Sequence, residues 1–452
     1  MKILREGNAR VAAIIGKKLK ADKLYRLSCY TFPYSEGEEL LIRSTLTGMT
    51  VALSGDERAC VEKARDLLVS GAELKSAGLE ELARNCFFAE EGTDEYRLYE
   101  LSRSVLKAMS REKKGTKSFT ILPTTGCNAR CVYCYEEGIP VQTMTDETAD
   151  QVVDFIARTR WDDTVKLRWF GGEPLAGARI ISRICRTLKE KGIPYRSEMI
   201  TNATLMTPEL LDEAVDLWHL EKAQVSVDGK REDYEARKRY VNPGKHHYDA
   251  MMRAVRGMLD KGIQVVIRCN YDWKNFDGIK EFFDEVKACF GSAEKLSVYL
   301  AMVYQERDKE SCVELKRKAL ILNDYLRKIG LKKTGGSRNP LRVNGCMADS
   351  EGKNVVIAPD GTLYHCEHMP ENTSLGSIFD SDITVYNDDR GSESAHEECR
   401  RCVFLPMCTP FYRNGCPNWF SLCREYIRID TEKAMSLFAK NVREEEEDDF
   451  DC

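Results

Sequence analysis

Apolar and polar residues alternate with the two-residue period of strands over 25–32, 40–44 and 49–53, and Leu46-Thr47-Gly48 reads as a hairpin turn between the last two. The period lengthens to that of helices over 59–69, 79–87 and 96–109, so residues 1–112 predict a small α+β module. Residues 1–22 are basic and weakly patterned, and Lys113-Lys114-Gly115 reads as a linker. From 118 to about 330 the two periods take turns. Strands are predicted at 118–123, 165–170, 195–201, 223–228, 263–269 and 297–303, with helices between them, for example at 146–159, 208–217, 247–261 and 276–290. Such β-α alternation predicts an α/β fold on a parallel sheet, open or curled into a partial (β/α)6 barrel, over 113–334. Over 335–430 helical periodicity fades and Gly, Pro, Asn and Cys rise. An apolar run at 354–358, a Pro359-Asp360-Gly361 turn and a second run at 362–366 predict a hairpin there. The tail, 431–452, reads as one helix entering a solvated acidic block at 444–449.

Composition narrows the class. At 452 residues the chain is long enough for about two or three domains. With 31% charged and 42% hydrophobic residues it has a soluble balance, and a net charge of −5 points away from nucleic acid. The early apolar run at 11–15 is too short for a secretory segment, and no later run approaches spanning length. The expectation is a cytoplasmic protein without a membrane partner.

Eighteen cysteines change the picture. In a reducing compartment, clustered thiols point to metals or redox chemistry. Cys29, Cys60, Cys86, Cys185, Cys269, Cys289 and Cys312 are scattered singly and read as small buried hydrophobes. The others gather around 127–134 and 346–423, with Cys452 alone at the end. The first predicted barrel strand delivers its end to Cys127-x3-Cys131-x2-Cys134. Three thiolates leave one position of a four-iron cluster open, and chemistry can happen there. Zinc is the alternative, but it wants a fourth thiol or histidine close by and the local loop offers none. In parallel sheets ligands sit at the C-terminal strand ends. Polar residues converge there from the other strands: Gly171-Gly172-Glu173-Pro174, Asn202, Ser226 and Asp228, then Arg268 and Asn270. His246, His247, His365, His368 and His396 read as surface or turn histidines.

The Cys127-x3-Cys131-x2-Cys134 motif, with Tyr133 before its last cysteine, resembles that of the radical S-adenosylmethionine (SAM) enzymes. The resemblance implies a [4Fe-4S] cluster on Cys127, Cys131 and Cys134, with SAM chelated at the open iron and cleaved to a 5′-deoxyadenosyl radical. It further implies cofactor contacts at Tyr133, Gly171, Gly172, Glu173, Pro174, Ser226, Asp228 and Arg237, with Arg239 the rival for the carboxylate. Asn202, Arg268 and Asn270 hold the right places on the rim, and local strand-end hydrogen bonding is their alternative reading.

Cys346-x14-Gly361-x4-Cys366 and Cys399-x2-Cys402-x5-Cys408 resemble a SPASM extension, which carries auxiliary clusters in peptide-modifying radical enzymes; here Thr409–Gly415 intervenes before Cys416. The resemblance implies one auxiliary cluster on Cys399, Cys402, Cys408 and Cys423 and another on Cys346, Cys366 and Cys416, three [4Fe-4S] clusters in total. Gly352 stands where sulfatase-maturing relatives place a fourth thiol. That leaves either an open iron for a substrate thiolate or closure by Asp349, a histidine or Cys452. A zinc ribbon is the rival for Cys399 and Cys402.

The N-terminal module resembles, in architecture and position, the leader-peptide recognition domain of ribosomal-peptide maturases; a structural cap is the alternative. The implied activity is radical modification of a ribosomally made, cysteine-containing precursor peptide, fed electrons by a flavodoxin or ferredoxin, with thioether formation favoured. Carbon–carbon crosslinking, epimerisation and single-residue oxidation are alternatives. A peptide-binding iron–sulfur scaffold or electron-transfer protein is the reading from another class.

Overall fold

The computed structural model describes residues 1–37, 39–109, 115–244, 246–291, 293–303, 308–332, 353–367, 374–381, 397–408 and 423–450. The N-terminal part holds strands β1 (Lys2–Arg5), β2 (Leu24–Leu27), β3 (Thr31–Glu36), β4 (Glu39–Ser44), β5 (Thr50–Leu53), β6 (Val69–Ser70) and β7 (Phe88–Glu90). Its helices are α1 (Ala9–Ile15), α2 (Gly55–Asp66), α3 (Gly71–Ser76), α4 (Glu80–Arg84) and α5 (Glu95–Met109). The strands form a four-stranded sheet, order β1-β5-β4-β3, and a three-stranded sheet, order β6-β2-β7.

The run 25–32, read from sequence as one strand, is two strands in different sheets. The Glu95 carboxylate breaks it: it accepts from Ser28 Oγ at 2.5 Å and from Cys29 N at 3.0 Å, taking the backbone out of the ladder. Residues 2–15, read as weakly patterned, supply β1 and α1, and Asn8 caps that helix by accepting from Arg10 N and Val11 N.

Strands β8 (Ser118–Ile121), β9 (Val165–Trp169), β10 (Tyr195–Thr201), β11 (Leu220–Val227), β12 (Gln264–Tyr271) and β13 (Leu296–Met302) pair in parallel and in sequence order. Between and after them run α6 (Asp146–Thr159), α7 (Ala178–Glu190), α8 (Pro208–Asp216), α9 (Arg231–Lys238), α10 (His247–Asp260), α11 (Ile279–Phe290) and α12 (Lys309–Lys328). The six β-α units expected from the sequence are all present. Alternation explains the layers: Val165, Leu167 and Trp169 on β9, like Val265, Ile267 and Cys269 on β12, are buried with the apolar stripes of the helices. The other face of the sheet is polar. Arg168 pairs there with Glu198, and Tyr299 donates to Gln224 Oε1 at 3.0 Å.

Beyond the barrel, β14 (Asn354–Ile357) pairs in parallel with β8, and β15 (Thr362–Tyr364) and β16 (Ser374–Ser377) follow antiparallel, making one nine-stranded sheet. The hairpin assigned to the cysteine-rich segment thus extends the barrel sheet. Helices α13 (Glu397–Arg400) and α14 (Cys423–Phe450) complete the described chain. The last helix begins at Cys423, ahead of the predicted 431, because Ile427, Met435 and Ala439 give it an apolar stripe that packs on the N-terminal sheet. That sheet is covered on both faces. Leu40, Ile42, Val51 and Leu53 meet α2, while Leu41, Ala52 and Phe32 meet Phe404, Met435 and Ala439. No helix among the described residues is long and apolar enough to cross a membrane.

Candidate functional site

The cluster loop is held from two sides. After β8, Thr124 Oγ1 donates to Gln142 O at 3.0 Å and accepts from Gly126 N at 3.0 Å. On the far side, the end of α9 and the residues after it run antiparallel to the loop. Arg130 N donates to Lys238 O at 2.9 Å, Val132 N to Arg237 O at 3.0 Å and Val241 N to Asn128 O at 2.9 Å, and Ala129 pairs with Tyr240. Arg239, with φ +48, makes the turn out of the helix that this pairing needs.

Gly171 and Gly172 lie directly against the chain entering the loop. Gly171 has φ +117, and a Cβ there would stand 2.3 Å from Thr124 O. A Cβ on Gly172 would stand 2.4 Å from Thr125 O and 2.6 Å from Gly126 O. Only glycine fits either place. The Glu173 carboxylate is fully buried and accepts from Leu175 N at 3.1 Å, Thr201 Oγ1 at 2.6 Å and Asn202 N at 2.8 Å. Burial pushes its pKa up, and these donors oppose the rise. Pro174 begins the short 3-10 turn Pro174–Gly177. Asn202 Nδ2 donates to Asn128 Oδ1 at 2.8 Å, so the side chains of Glu173 and Asn202 lace the loops after β8, β9 and β10 together. For Asn202 this is the strand-end hydrogen bonding held as its alternative.

A second group converges beside the thiols. Tyr133 OH donates to Asp228 Oδ1 at 2.5 Å. Asn270 Nδ2 donates to Tyr133 OH at 3.0 Å and to Asp228 Oδ1 at 3.2 Å. Lys238 Nζ, almost wholly buried, lies 3.1 Å from Tyr133 OH and 3.7 Å from Asp228 Oδ2. Burial works against that ammonium, but Asp228 and Tyr133 outweigh it, so its pKa lies well above the usual lysine value. The sequence reading missed Lys238. Arg237 is buried, with Nη1 3.0 Å from Asp272 Oδ1 and 2.9 Å from Asp272 Oδ2, and its guanidinium carbon 5.5 Å from the Tyr133 ring centre. Its rival Arg239 is exposed. Ser226 and Arg268 sit side by side in register on the polar face of the sheet.

These residues fit the implied cofactors. Arg237 Nε and Nη2 are buried without a hydrogen-bond partner, the side-on donor pair that suits a carboxylate, and Asp228 Oδ2 is a buried acceptor without a hydrogen bond. Burial pushes the Cys127 thiol up to about 12 and raises Cys131 and Cys134, so a thiolate here calls for a metal partner. Among the described residues no three His, Cys, Asp or Glu side chains form a cage for a single metal ion.

Of the proposed auxiliary ligands, Cys366 lies just beyond β15, the second arm of the hairpin. Cys399 and Cys402 pack against Tyr30, Leu46, Tyr99 and Leu405, and Cys408 follows the 3-10 turn Leu405–Met407. Cys423 opens α14, while Cys346 and Cys416 lie outside the described residues, as do Asp349, Gly352 and Cys452. Two side readings need correction. Cys289 is exposed, on the solvent side of the last turn of α11, rather than buried. His247 and His365 are buried rather than at the surface, His247 stacked on Tyr240 at 3.9 Å.

Residues 121–277 match the model of the radical SAM superfamily, and the chain carries a radical SAM domain. The cysteine-type anaerobic sulfatase-maturating enzyme of Clostridium perfringens is 21% identical over 361 residues, covering 71% of this chain and 92% of its own. The structure of native anSMEcpe with bound AdoMet aligns with TM-score 0.56 and 15% identity over 72% of this chain and 100% of that one. The Streptococcus suis SuiB structure bound to precursor peptide SuiA aligns with TM-score 0.50 and 13% identity over 88% and 100%. At these identities the structures speak for the fold. The chain spans about two fifths of the length of the first curated relatives it matches.

Proposed function

We propose that this protein is a radical SAM enzyme that takes a hydrogen atom from a peptide or protein. The observation that carries the reading is the meeting of three loop thiols with the unsatisfied Arg237 donor pair and Asp228 acceptor at one rim of a radical SAM domain. When bound, the cluster and SAM supply one-electron cleavage of the sulfonium and a carbon radical that abstracts hydrogen. The protein's part is placement. Arg237 receives the methionine carboxylate, Asp228 and Ser226 receive cofactor hydroxyls, and the Gly171-Gly172 backbone leaves room for close approach. Lys238 and Asn270 fix the Tyr133–Asp228 pair. Cys366, Cys399, Cys402, Cys408 and Cys423, with Cys346 and Cys416 beyond the described residues, are the proposed auxiliary ligands.

For the substrate, the match to a sulfatase-maturating enzyme over 71% of this chain supports a peptide or protein. Thioether formation on a cysteine-containing precursor peptide is the finer reading, resting on the three-thiol set of Cys346, Cys366 and Cys416. Single-residue oxidation is the second reading, supported by that same match. The N-terminal module is read as a seat for the Cys399–Cys408 segment. Tyr30 OH donates to Arg400 O at 2.7 Å and Thr45 Oγ1 to Val403 O at 2.6 Å, and Pro33 removes a donor from edge strand β3, which makes that edge a poorer template for an added strand. The test is release of 5′-deoxyadenosine by the reduced, iron-loaded protein with SAM. Alanine at Cys127, Cys131 and Cys134 should abolish it, and undiminished release would refute the proposal. With a partner peptide, loss of two hydrogens and of a free thiol marks a thioether, whereas a hydrazine-reactive aldehyde marks oxidation.

A further inference from the structure

Two of the arginines on the sheet's polar face stand in opposite circumstances. Arg168 on β9 has its carboxylate, Glu198 on β10. Arg268 on β12 has none. Among the described residues it makes no ion pair and no hydrogen bond, and its Nε is buried without a partner. Register places it between Ser226 on β11 and Tyr299 on β13, two residues before Asn270, which contacts Tyr133 and Asp228. It also lies within electrostatic reach of the cluster loop. Its charge acts on Tyr135 there. A half-buried guanidinium that makes no ion pair is costly, and an arriving anion relieves that cost.

SAM does not supply the anion well. It carries one carboxylate against a sulfonium and an ammonium, and Arg237 already presents a free Nε–Nη2 pair to a carboxylate. We propose that Arg268 receives a carboxylate of the substrate, an aspartate or glutamate side chain or a chain terminus close to the residue that is modified. The inference rests on the peptide reading above and deepens it: the enzyme selects an acidic residue beside its target.

The test uses the iron-loaded protein with SAM and three probes: the tripeptides acetyl-Gly-Glu-Gly-amide and acetyl-Gly-Gln-Gly-amide, and free glutarate. Calorimetry should show the Glu peptide binding about tenfold tighter than the Gln peptide, the scale of one charge-assisted hydrogen-bonded pair. Arg268→Gln should erase that preference and leave SAM affinity within about twofold. Arg268→Lys, which keeps the charge without the fork, should retain part of the preference, and a melting curve establishes that each variant folds. A tenfold loss of SAM affinity in Arg268→Gln would overturn the proposal, because the residue then serves the cofactor. Equal binding of both peptides to wild type and variant would overturn it while leaving the peptide reading intact. Glutarate binding that depends on Arg268, with neither peptide bound, would keep the anion site and defeat the peptide reading instead.

Discussion

Gly172 and Lys238 show how differently single residues announce themselves. The glycine pair is visible in the sequence, and its reason is steric: Thr124, Thr125 and Gly126 carbonyls occupy the space a Cβ needs. Gly172→Ala should push the cluster loop outward and cost about 2 kcal/mol. Iron content per chain should fall while far-UV circular dichroism of the barrel persists; full iron loading would contradict this account. Lys238 gives no such sign, because a lysine in the last turn of a helix reads as a solvated charge facing the helix dipole. Its burial follows from Asp228, just past the end of β11. Lys238→Met leaves Asp228 buried beside Tyr133 without its cation and should cost about 3–5 kcal/mol in urea unfolding. Adding Asp228→Asn should return most of that loss, and no recovery would mean the lysine acts elsewhere. The choice between Arg237 and Arg239 was equally closed to sequence, since Arg237 in the last turn of α9 and Arg239 just after it belong to the same basic run. The left-handed turn at Arg239 sends one side chain out and leaves the other in.

At the scale of elements, the barrel strands and helices were legible because burial repeats with their own periods. The predicted helix at 146–159 and strand at 195–201 match α6 and β10 end to end. What escaped was set from far away. The break between β2 and β3 depends on Glu95, 67 residues from Ser28, and local alternation continues straight through it. Glu95→Ala should strip Ser28 and Cys29 N of their acceptor and cost about 2 kcal/mol, seen as faster amide exchange at 28–31 with the barrel amides unchanged. The pairing of 128–132 with 237–241 was likewise unreadable, because neither segment looks like a strand by itself.

At the scale of the molecule, the segments read as successive domains are interlocked. The cysteine-rich hairpin finishes the barrel sheet, and α14 with the Cys399–Cys408 segment closes the N-terminal sheet. Phe404 packs on Phe32 at 5.0 Å and is fully buried. Phe404→Ala should cost about 3 kcal/mol and lower protection in β3, β4 and β5 before the barrel melts. Unchanged protection there would separate the two parts after all. The Tyr30–Arg400 hydrogen bond, which joins residues 370 apart in sequence, also has a consequence in time. A ribosome releases the first sheet long before its cover. Until the last helix emerges, Phe32, Leu41 and Ala52 stay open to water, so the nascent chain carries an unsealed face through most of its synthesis, and a chaperone would find its substrate there.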